Sequence, residues 1–336
     1  MTGQRIAIVG ATGAVGTELL RCMEQRNFPV TSVLPLASPR SVGSTVTFRD
    51  QAIPVALAEP SAFTDIDIAF FSAGATRSRA LIPHAREAGA TVVDNSSAFR
   101  MHADVPLVIP EVNPEAFSGH DGLIANPNCV TAILSMAVAP LVALSPLARL
   151  VVSTYQSASG AGARAMEDLL EQTRQTLAGQ KAEPKVLKHP YAFNLFSHDS
   201  AIEDNDYNGE ENKVVAETRK ILGMDQLAIS VTCVRVPVLR AHSMSVNVEF
   251  QRPVTATAAR MALEAAPGVV VVDDRDQNHY PMPNEASGRD DVLVGRIRTD
   301  PSHPHALNLF VAGDQLLKGA ALNAVQIAEM VLQQPS

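Results

Sequence analysis

Three features are scarce in this chain: cysteine, long apolar runs and excess positive charge. Its 336 residues include only three cysteines, Cys22, Cys129 and Cys233, an odd number without close spacing, which favours reduced thiols over a disulfide framework. No uninterrupted apolar run reaches about 18 residues, so no membrane span is expected. Asp plus Glu number 35 against 27 Lys plus Arg, a formal net charge of −8, which argues against nucleic acid and anionic membranes as partners.

The start of the chain also lacks a targeting pattern. The residues MTGQRIAIVG lead into a strand pattern without the basic and apolar regions of a signal peptide. Together with the few cysteines, this predicts a cytoplasmic protein. The length allows two domains with a full-sized core each, or one large domain.

The first third of the chain alternates strand and helix patterns. An apolar run over residues 5–10 precedes a helical pattern over 14–26, and the strand-like runs DIAFFSAG and ATVVDNSS flank a helical pattern that Gly89 ends. Strands that alternate with helices predict a parallel sheet covered on both faces.

After Cys129 the pattern changes. A strand over 149–159 precedes an amphipathic helix over 163–177, and the period-two alternation of ISVTCVRVPV and SMSVNVEFQ is typical of half-buried antiparallel strands. The polar stretch 181–212 is either an ordered excursion or a mobile loop, and an apolar stripe predicts a helix at the C-terminal end. These patterns predict an α/β domain followed by an α+β domain.

Three glycines, Gly10, Gly13 and Gly16, separate the first strand from the first helix. Glycines at this junction let the backbone turn tightly and approach a pyrophosphate, to which the helix N-terminus offers N–H groups and positive potential. The spacing differs from the commoner G-x-G-x-x-G, so the position of the glycines, more than the motif, predicts dinucleotide binding. The alternative is close helix–strand packing without a ligand.

The end of the second predicted strand and the turn after it, residues 34–44, contain no acidic residue. A carboxylate at this point usually binds the ribose 2′-hydroxyl of NAD, whereas Ser38, Arg40 and Ser41 offer a guanidinium and hydroxyls that suit a 2′-phosphate. We therefore predict NADP rather than NAD as the cofactor. The alternative is an ordinary exposed arginine in a turn.

Cys129 follows the sequence Asn-Pro-Asn and begins an apolar helical run. The unpaired N–H groups and the dipole of a helix start favour an anion, so this position predicts a readily ionised thiol and hence a nucleophile. Cys22 and Cys233 lie within a helical and a strand pattern, and we predict that both are buried packing residues.

Residues elsewhere in the chain supply what a thiol enzyme needs. Arg235 and His242 lie close together in sequence, and a cysteine with a distant histidine is a usual pairing for nucleophilic catalysis. Glu210 and Lys213, three residues apart at the start of a predicted helix, can face one site. Arg100 follows a predicted strand, at the sheet edge where α/β proteins bind ligands.

Six motifs in this order resemble aspartate-β-semialdehyde dehydrogenases: GATGAVG, DNSSAFR, NPNC, YQSASGAGARAMEDL, RVPVLRAHS and DQLLKGAALNAV. The resemblance runs nearly from end to end. It implies an oxidoreductase that uses NADP to interconvert L-aspartate 4-semialdehyde plus phosphate with L-4-aspartyl phosphate, in the synthesis of lysine, threonine, methionine and diaminopimelate. It also implies small-molecule substrates, and a homodimer or a dimer of dimers.

The resemblance implies a domain plan as well. A Rossmann-like, doubly wound NADP-binding domain is expected over residues 1–128, completed by a C-terminal helix over 316–336. A catalytic and dimerisation domain with a mixed or antiparallel sheet and helices is expected over 129–315.

The same resemblance implies three catalytic residues. Cys129 is expected to be the nucleophile that forms an acyl-thioester, His242 the acid–base residue, and Gln156 the residue that orients the thioester. An imidazole suits its role because it takes and returns a proton near neutral pH.

Binding residues follow from the resemblance too. Arg235 is expected to bind the substrate α-carboxylate and Glu210 the α-ammonium, while Arg100 and Lys213 bind the phosphate. No metal is expected. The cofactor is expected to contact a set of small, polar and basic residues: Gly10, Thr12, Gly13, Ala14, Val15, Gly16, Ser38, Arg40, Ser41, Ser159, Gly160 and Gln315.

Two positions depart from the family pattern. Val130 stands where Ser or Thr is common, and Met244 stands where many relatives have the glutamate of a His-Ser-Glu motif. If that glutamate helps to position the histidine, its absence would alter the pH profile.

Three other functions remain as alternatives. N-acetyl-γ-glutamyl-phosphate reductase shares the chemistry and the domain plan, but an acetylated nitrogen does not need Glu210. A non-catalytic dinucleotide-binding sensor would not need Cys129 or His242, which are both present. A cysteine hydrolase would have no use for the glycine turn.

Overall fold

The computed structural model describes residues 3–333, so residues 1, 2 and 334–336 of the predicted first domain lie outside the described part. Contacts within the chain group it into two compact units. Of the described residues, 3–128 and 320–333 form the first unit, and Cys129–Gly319 form the second.

A six-stranded sheet, in which every neighbouring pair is parallel, is the core of the first unit. Its inner strands are apolar and buried, as expected for a parallel sheet. The strands of this unit are β1 (Gln4–Val9), β2 (Val30–Ala37), β3 (Thr45–Phe48), β4 (Gln51–Pro54), β5 (Ala56–Leu57), β6 (Ile68–Phe71), β7 (Thr91–Asp94) and β8 (Leu123–Ala125). The sheet order is β5-β2-β1-β6-β7-β8, while β3 and β4 form a separate hairpin.

Three α-helices belong to the first unit: α1 (Ala14–Gln25), α2 (Ala75–Glu87) and the C-terminal helix (Leu322–Gln333). Arg26 links the end of α1 to the C-terminal helix, because its Nε and Nη2 each donate to a carboxylate oxygen of Glu329 at 2.7 Å. Short 3₁₀ helices cover Pro39–Ser41, Pro60–Phe63 and Pro114–Gly119.

The second unit is built on a seven-stranded mixed sheet. Its strands are β9 (Leu147–Gln156), β10 (Phe196–Ser197), β11 (Ala228–Arg235), β12 (His242–Phe250), β13 (Val269–Val271), β14 (Val292–Thr299) and β15 (Ala306–Gly313), in the order β10-β11-β9-β12-β15-β14-β13. Its helices are α3 (Cys129–Val142), α4 (Ala163–Leu177), α5 (Gly209–Leu222), α6 (Ala256–Glu264) and α7 (Pro283–Ala286), with a 3₁₀ turn over Ala158–Ala161. These two sheets confirm the predicted fold class.

The predicted antiparallel pairing of β11 is wrong. β11 is parallel to β9 along its whole length, and only the two-residue β10 is antiparallel to it. The long connection through α4 and α5 allows this parallel pairing, which a short hairpin could not provide. Period-two alternation reports a half-buried face and does not give the direction of a strand.

The predicted C-terminal helix begins later than expected. A π-helical turn covers Leu317–Ala321, and the α-helix starts only at Leu322. Asp314 accepts hydrogen bonds from the backbone N–H groups of Leu316 and Leu317, so the start of the expected helix is a capped turn. The first unit accordingly resumes at residue 320, not at 316.

The polar stretch 181–212 is an ordered excursion. Tyr191 is buried, and its hydroxyl donates to the Gln156 carbonyl oxygen at 3.3 Å. Burial raises the pKa of Tyr191 to about 12, so the hydroxyl keeps its proton. The stretch also contains β10 and the start of α5. Within residues 3–333, no helix combines the length and apolarity that a membrane span requires.

Candidate active site

In the glycine turn between β1 and α1, two glycines pack tightly against backbone atoms, and the third, at the start of the helix, has space around it. A Cβ at Gly10, where φ is +94°, would lie 2.6 Å from the Ser72 carbonyl oxygen, and one at Gly16 would lie 2.3 Å from the Gly10 carbonyl oxygen. At Gly13, which caps α1, an added Cβ would meet only that same oxygen, at 3.3 Å. The turn therefore leaves a path to the first N–H groups of α1, where Ala14 and Val15 lie, and this fits a pyrophosphate.

A cleft of about 220 Å³ lies beside this turn. Besides the glycines, Thr12, Ser38, Arg40, Ser41 and Arg77 line it. Arg40 is exposed and Arg77 is half-buried, and neither forms an ion pair within residues 3–333. Two uncompensated guanidiniums beside hydroxyls suit the phosphates of a dinucleotide. Sequence analysis missed Arg77, because nothing in its helix pattern distinguishes it from a surface arginine.

Arg100 is held in the first unit by backbone carbonyl groups. It follows β7, and its Nε donates to the Asn126 carbonyl oxygen at 2.8 Å and its Nη2 to that of Asn95 at 2.7 Å. Its guanidinium is buried and fixed at the carboxyl ends of the parallel strands. Lys213, predicted to bind the same phosphate, belongs to the second unit.

Cys129 is the first residue of α3 and is partly exposed, whereas Cys22 and Cys233 are buried as predicted. Burial raises the pKa of Cys233, which keeps that thiol protonated. A Cβ added at Gly319 would lie 2.9 Å from the Cβ of Cys129 and 3.3 Å from that of Gln315. Gly319 therefore allows the turn after β15 to pass directly against the candidate nucleophile.

The strand register brings three predicted residues to one edge of the second sheet. Arg235 and Gln156 are register partners at the ends of the parallel strands β11 and β9. β12 is antiparallel to β9, with Ser243 opposite Tyr155, so its first residue, His242, lies at the same edge. A site assembled from strand ends in this way has a rigid framework.

Arg235 is buried and fixed by one ion pair. Its Nε donates to Asp199 Oδ1 at 3.1 Å, while its Nη1 has no hydrogen-bond partner in the described chain. Burial alone would raise the pKa of Asp199, but the charge and the hydrogen bond of Arg235 hold it below its usual value, so the pair is ionised near pH 7. The ion pair thus orients the guanidinium, and Nη1 is available to donate to an anion.

Gly160 lies beneath this free guanidinium end and the ring of His242. A Cβ at Gly160 would lie 3.3 Å from Arg235 Nη1 and 3.0 Å from His242 Nε2. His242 Nε2 likewise has no hydrogen-bond partner among residues 3–333. Two buried nitrogens without partners therefore converge above a residue that has no side chain, as a site for a substrate carboxylate or oxyanion requires.

The His242 ring is oriented from its other nitrogen. Nδ1 accepts a hydrogen bond from the Ser157 backbone N–H at 3.0 Å and lies 3.0 Å from the Ser157 hydroxyl oxygen. Burial, together with the charge of Arg235, lowers the pKa of His242 to about 3. The ring is therefore neutral near pH 7.

Gln156, Glu210 and Lys213 form a polar row in the second unit. Gln156 Nε2 donates to Glu210 Oε1 at 3.2 Å, and Lys213 Nζ lies 3.5 Å from Glu210 Oε2. A capping box fixes the start of α5: Asn208 Oδ1 accepts from the N–H groups of Glu210 and Glu211, and Glu211 accepts in return from the Asn208 N–H. The capping box positions the carboxylate of Glu210, which is buried.

Ser159 and Gln315, predicted to contact the cofactor, are buried and hydrogen-bonded to each other. The structure also shows site residues that sequence analysis missed: Asp199, Ser157 and Gly319. Their partners are distant in sequence or are backbone groups, so no spacing pattern identifies them. In the described part of the chain, no group of three or more His, Cys, Asp or Glu side chains could hold a metal ion.

Fold and site together define an NAD(P)-binding semialdehyde dehydrogenase. The family model described as "Semialdehyde dehydrogenase, NAD binding domain" matches residues 5–120, and "Semialdehyde dehydrogenase, dimerisation domain" matches residues 138–318. More particularly, the chain belongs to the aspartate-semialdehyde dehydrogenase family.

Relatives from bacteria support this assignment. The chain is 53% identical over 329 residues to an aspartate-semialdehyde dehydrogenase of Synechocystis sp., a match that covers 98% of this chain and 97% of the relative. It is similar to the crystal structure of aspartate semialdehyde dehydrogenase II from Vibrio cholerae, with a TM-score of 0.96, 41% identity and full coverage of both chains. A structure of that enzyme complexed with ASA has the same TM-score at 40% identity. These findings confirm the resemblance and do not favour the acetylglutamyl-phosphate alternative.

Proposed function

We propose that this chain catalyses the reversible, NADPH-dependent reductive dephosphorylation of L-4-aspartyl phosphate to L-aspartate 4-semialdehyde, with Cys129 as the covalent nucleophile. The observation behind the proposal is that Arg235, His242, Gln156 and Glu210 gather at one sheet edge of the unit that Cys129 begins. When bound, the nicotinamide cofactor supplies or accepts a hydride.

In the biosynthetic direction, the Cys129 thiolate attacks the acyl carbonyl of aspartyl phosphate. The carbon–sulfur bond forms, the carbon–oxygen bond to phosphate breaks, and phosphate leaves. With a hydride from the bound nicotinamide, the thioester would become the oxyanion of a hemithioacetal on Cys129; its collapse to the aldehyde would break the carbon–sulfur bond and release the thiolate. Gln156, fixed between Thr154 and Glu210, orients the carbonyl group, and His242 provides the acid–base function.

Substrate recognition follows from the charges of the site. Arg235, whose Nη1 has no partner in residues 3–333, is proposed to bind the α-carboxylate, and the buried Glu210 the α-ammonium. Arg100 and Lys213 are proposed to bind phosphate. A free α-ammonium, unlike an acetylated nitrogen, gives the carboxylate of Glu210 a partner of opposite charge.

NADP is the proposed cofactor. The cleft beside the glycine turn fits it, because it presents Arg40, Arg77, Ser38 and Ser41 and has no acidic lining residue that would repel a 2′-phosphate. Thr12 and the start of α1 would hold the pyrophosphate.

We also propose the predicted division of labour between the domains. The first unit would bind NADP, and the second would hold the covalent chemistry and form a homodimer, which the family description of residues 138–318 supports. A monomeric mass by light scattering at micromolar concentration would contradict the homodimer. The cytoplasmic location stays a prediction.

The experiment that tests this function is NADPH formation from NADP and L-aspartate 4-semialdehyde, with and without phosphate. We expect absorbance to rise only with phosphate, because phosphate must release the thioester. Cys129→Ser should lower turnover by several orders of magnitude and keep NADP binding, while Cys22→Ala, a change at a buried cysteine of the first unit, serves as the matched control. Near-normal turnover of Cys129→Ser would exclude the covalent mechanism.

A further inference from the structure

A continuous chain of hydrogen bonds leads to the inner nitrogen of His242. The Ala241 backbone N–H donates to Gln315 Oε1 at 2.9 Å, and Gln315 Nε2 donates to the Ser159 hydroxyl oxygen. The Ser159 and Ser157 hydroxyl oxygens lie 3.0 Å apart, and the Ser157 oxygen lies 3.0 Å from His242 Nδ1. All five residues belong to the second unit, and the four side chains are buried.

The donor and acceptor roles along this series of hydrogen bonds follow from the groups at its two ends. A backbone N–H can only donate, so Oε1 of Gln315 must face Ala241, and the amide nitrogen must face Ser159. Ser159 then accepts from Gln315 and has its own proton available for Ser157. At the other end, the Ser157 backbone N–H donates to His242 Nδ1, which therefore holds a lone pair. The hydroxyl of Ser157 can donate to the same nitrogen.

This arrangement determines where the proton of the neutral ring lies. With Nδ1 as an acceptor, the ring proton is on Nε2. Nε2 is the buried nitrogen without a partner in the described residues, and it lies over Gly160 beside Arg235 Nη1. His242 thus presents an N–H donor to the site, and Nε2 has no lone pair that could take a proton from a thiol.

We propose that Ser157, Ser159 and Gln315 are positioning residues, which hold His242 in the Nε2–H tautomer so that it donates a hydrogen bond to the substrate oxygen on which negative charge develops. This inference rests on the proposed function and changes the role of His242 within it from proton transfer to hydrogen-bond donation by Nε2. It also gives Ser159 and Gln315 a positioning role, in which Gln315 Oε1 and one N–H of the Gln315 amide are engaged within the protein.

The charged surroundings of His242 agree with a neutral donor. Burial is the largest effect and disfavours a positive charge on the ring, as Arg235 and His198 also do, while Glu210 alone favours it. A neutral imidazole donor in a buried site stabilises an oxyanion without a change in its own protonation.

The tautomer is measurable without substrate. We expect the ¹⁵N NMR spectrum of the intact, histidine-labelled chain at pH 7 to show His242 with Nδ1 unprotonated and Nε2 protonated. The chain has nine histidines, and the signal lost in His242→Gln identifies the right one. A proton on Nδ1, or a charged ring at pH 7, would overturn the proposal.

Kinetics test the positioning residues. Ser159→Ala interrupts the series of hydrogen bonds to Ser157, and Gln315→Glu reverses it by replacing the donating amide with an acceptor. In both variants kcat should fall on the order of tenfold, and the His242 Nδ1 resonance should change. The KM for NADP should change little. Ser135→Ala, which removes a buried hydroxyl of α3 that has no hydrogen-bond partner in residues 3–333, should leave kcat and this resonance unchanged.

Two results would contradict the inference. One is a rise confined to KM for NADP with an unchanged ring resonance, which would return Ser159 and Gln315 to cofactor contact. The other is wild-type kcat in both variants. Failure of the proposed function itself is a separate outcome, because wild-type protein would then form no NADPH although its NMR spectrum shows the Nε2–H tautomer.

Discussion

At the scale of single residues, charge without a partner is the clearest sign of ligand binding in this molecule. Most arginines with a fixed position have a carboxylate or a carbonyl partner, as Arg26 has Glu329 and Arg235 has Asp199 on one side. Arg40 and Arg77 line a cleft without an ion-pair partner among residues 3–333. A half-buried cation such as Arg77 has lost part of its hydration, so an anionic ligand would restore favourable interactions.

Arg77→Ala and Arg40→Ala should each raise the Kd for NADP about tenfold or more, because each removes charge-assisted hydrogen bonds to phosphate. If a residue binds the 2′-phosphate, its variant should lose affinity for NADP more than for NAD. Fluorescence titration with both nucleotides measures the ratio. Arg79→Ala, an exposed α2 position outside the cleft, is the control. Unchanged Kd values in both variants would place the phosphate contacts elsewhere.

The sequence predicted the environment of a single residue correctly where the neighbouring residues along the chain determine that environment. Cys129 was placed at a helix start from its neighbours alone, and Cys22 and Cys233 from the apolar patterns around them. Asp199 and Ser157 were not found. Asp199 contacts Arg235, thirty-six positions away. Ser157 contacts His242, eighty-five positions away, in part through a backbone N–H that every residue type except proline shares.

At the scale of elements, the π-helical turn Leu317–Ala321 brings the chain against α3. π-turns are rare and often mark functional positions. Here Gly319 lies so close to Cys129 that a Cβ would be 2.9 Å from the Cβ of the cysteine and 3.2 Å from its Cα. Neither atom is the end of a flexible side chain, so a larger residue would have to displace the start of α3.

We therefore predict that Gly319→Ala lowers kcat by at least tenfold, because a small shift of the nucleophile misaligns it for attack. The fold should persist with a loss of about 1–3 kcal/mol in the free energy of unfolding, the usual cost of overpacking. Single-turnover acylation and urea unfolding measure the two effects. Gly119→Ala, where an added Cβ meets nothing within 4 Å, is the matched control. Wild-type acylation in Gly319→Ala would contradict the tight approach.

The bounds and directions of the helices and strands show which features local sequence patterns can predict. The amphipathic helix predicted over 163–177 is α4, with the same bounds, because its apolar face and its glycine start are both local signals. The direction of β11 and the late start of the C-terminal helix depended on long connections and on the buried Asp314, which period and propensity do not report. The β3–β4 hairpin was missed although it is local, because its two turn residues, Arg49 and Asp50 at positive φ, do not include the glycine that usually marks such a turn.

At the scale of the whole molecule, the candidate site residues are distributed over two units. The first contains the glycine turn, the basic cleft and Arg100; the second contains Cys129, the proposed nucleophile, together with His242 and the polar row of Gln156, Glu210 and Lys213. Within the second group, the ring of His242 is fully buried, and burial favours its neutral form. The lowered pKa of His242 therefore makes the stability of the molecule depend on pH.

We expect His242 to make the free energy of unfolding depend on pH in mild acid. His242 has a pKa of about 3 in the folded chain, against about 6.5 in an unfolded one. Between these values the unfolded chain binds a proton that the folded chain excludes, so stability falls as pH decreases. One such group accounts for up to about 2 kcal/mol between pH 6.5 and pH 5. Urea unfolding at both pH values should show a smaller loss for His242→Gln than for wild type, while the lowered pKa of His198 contributes to both. Equal losses would mean that His242 is protonated in the folded chain.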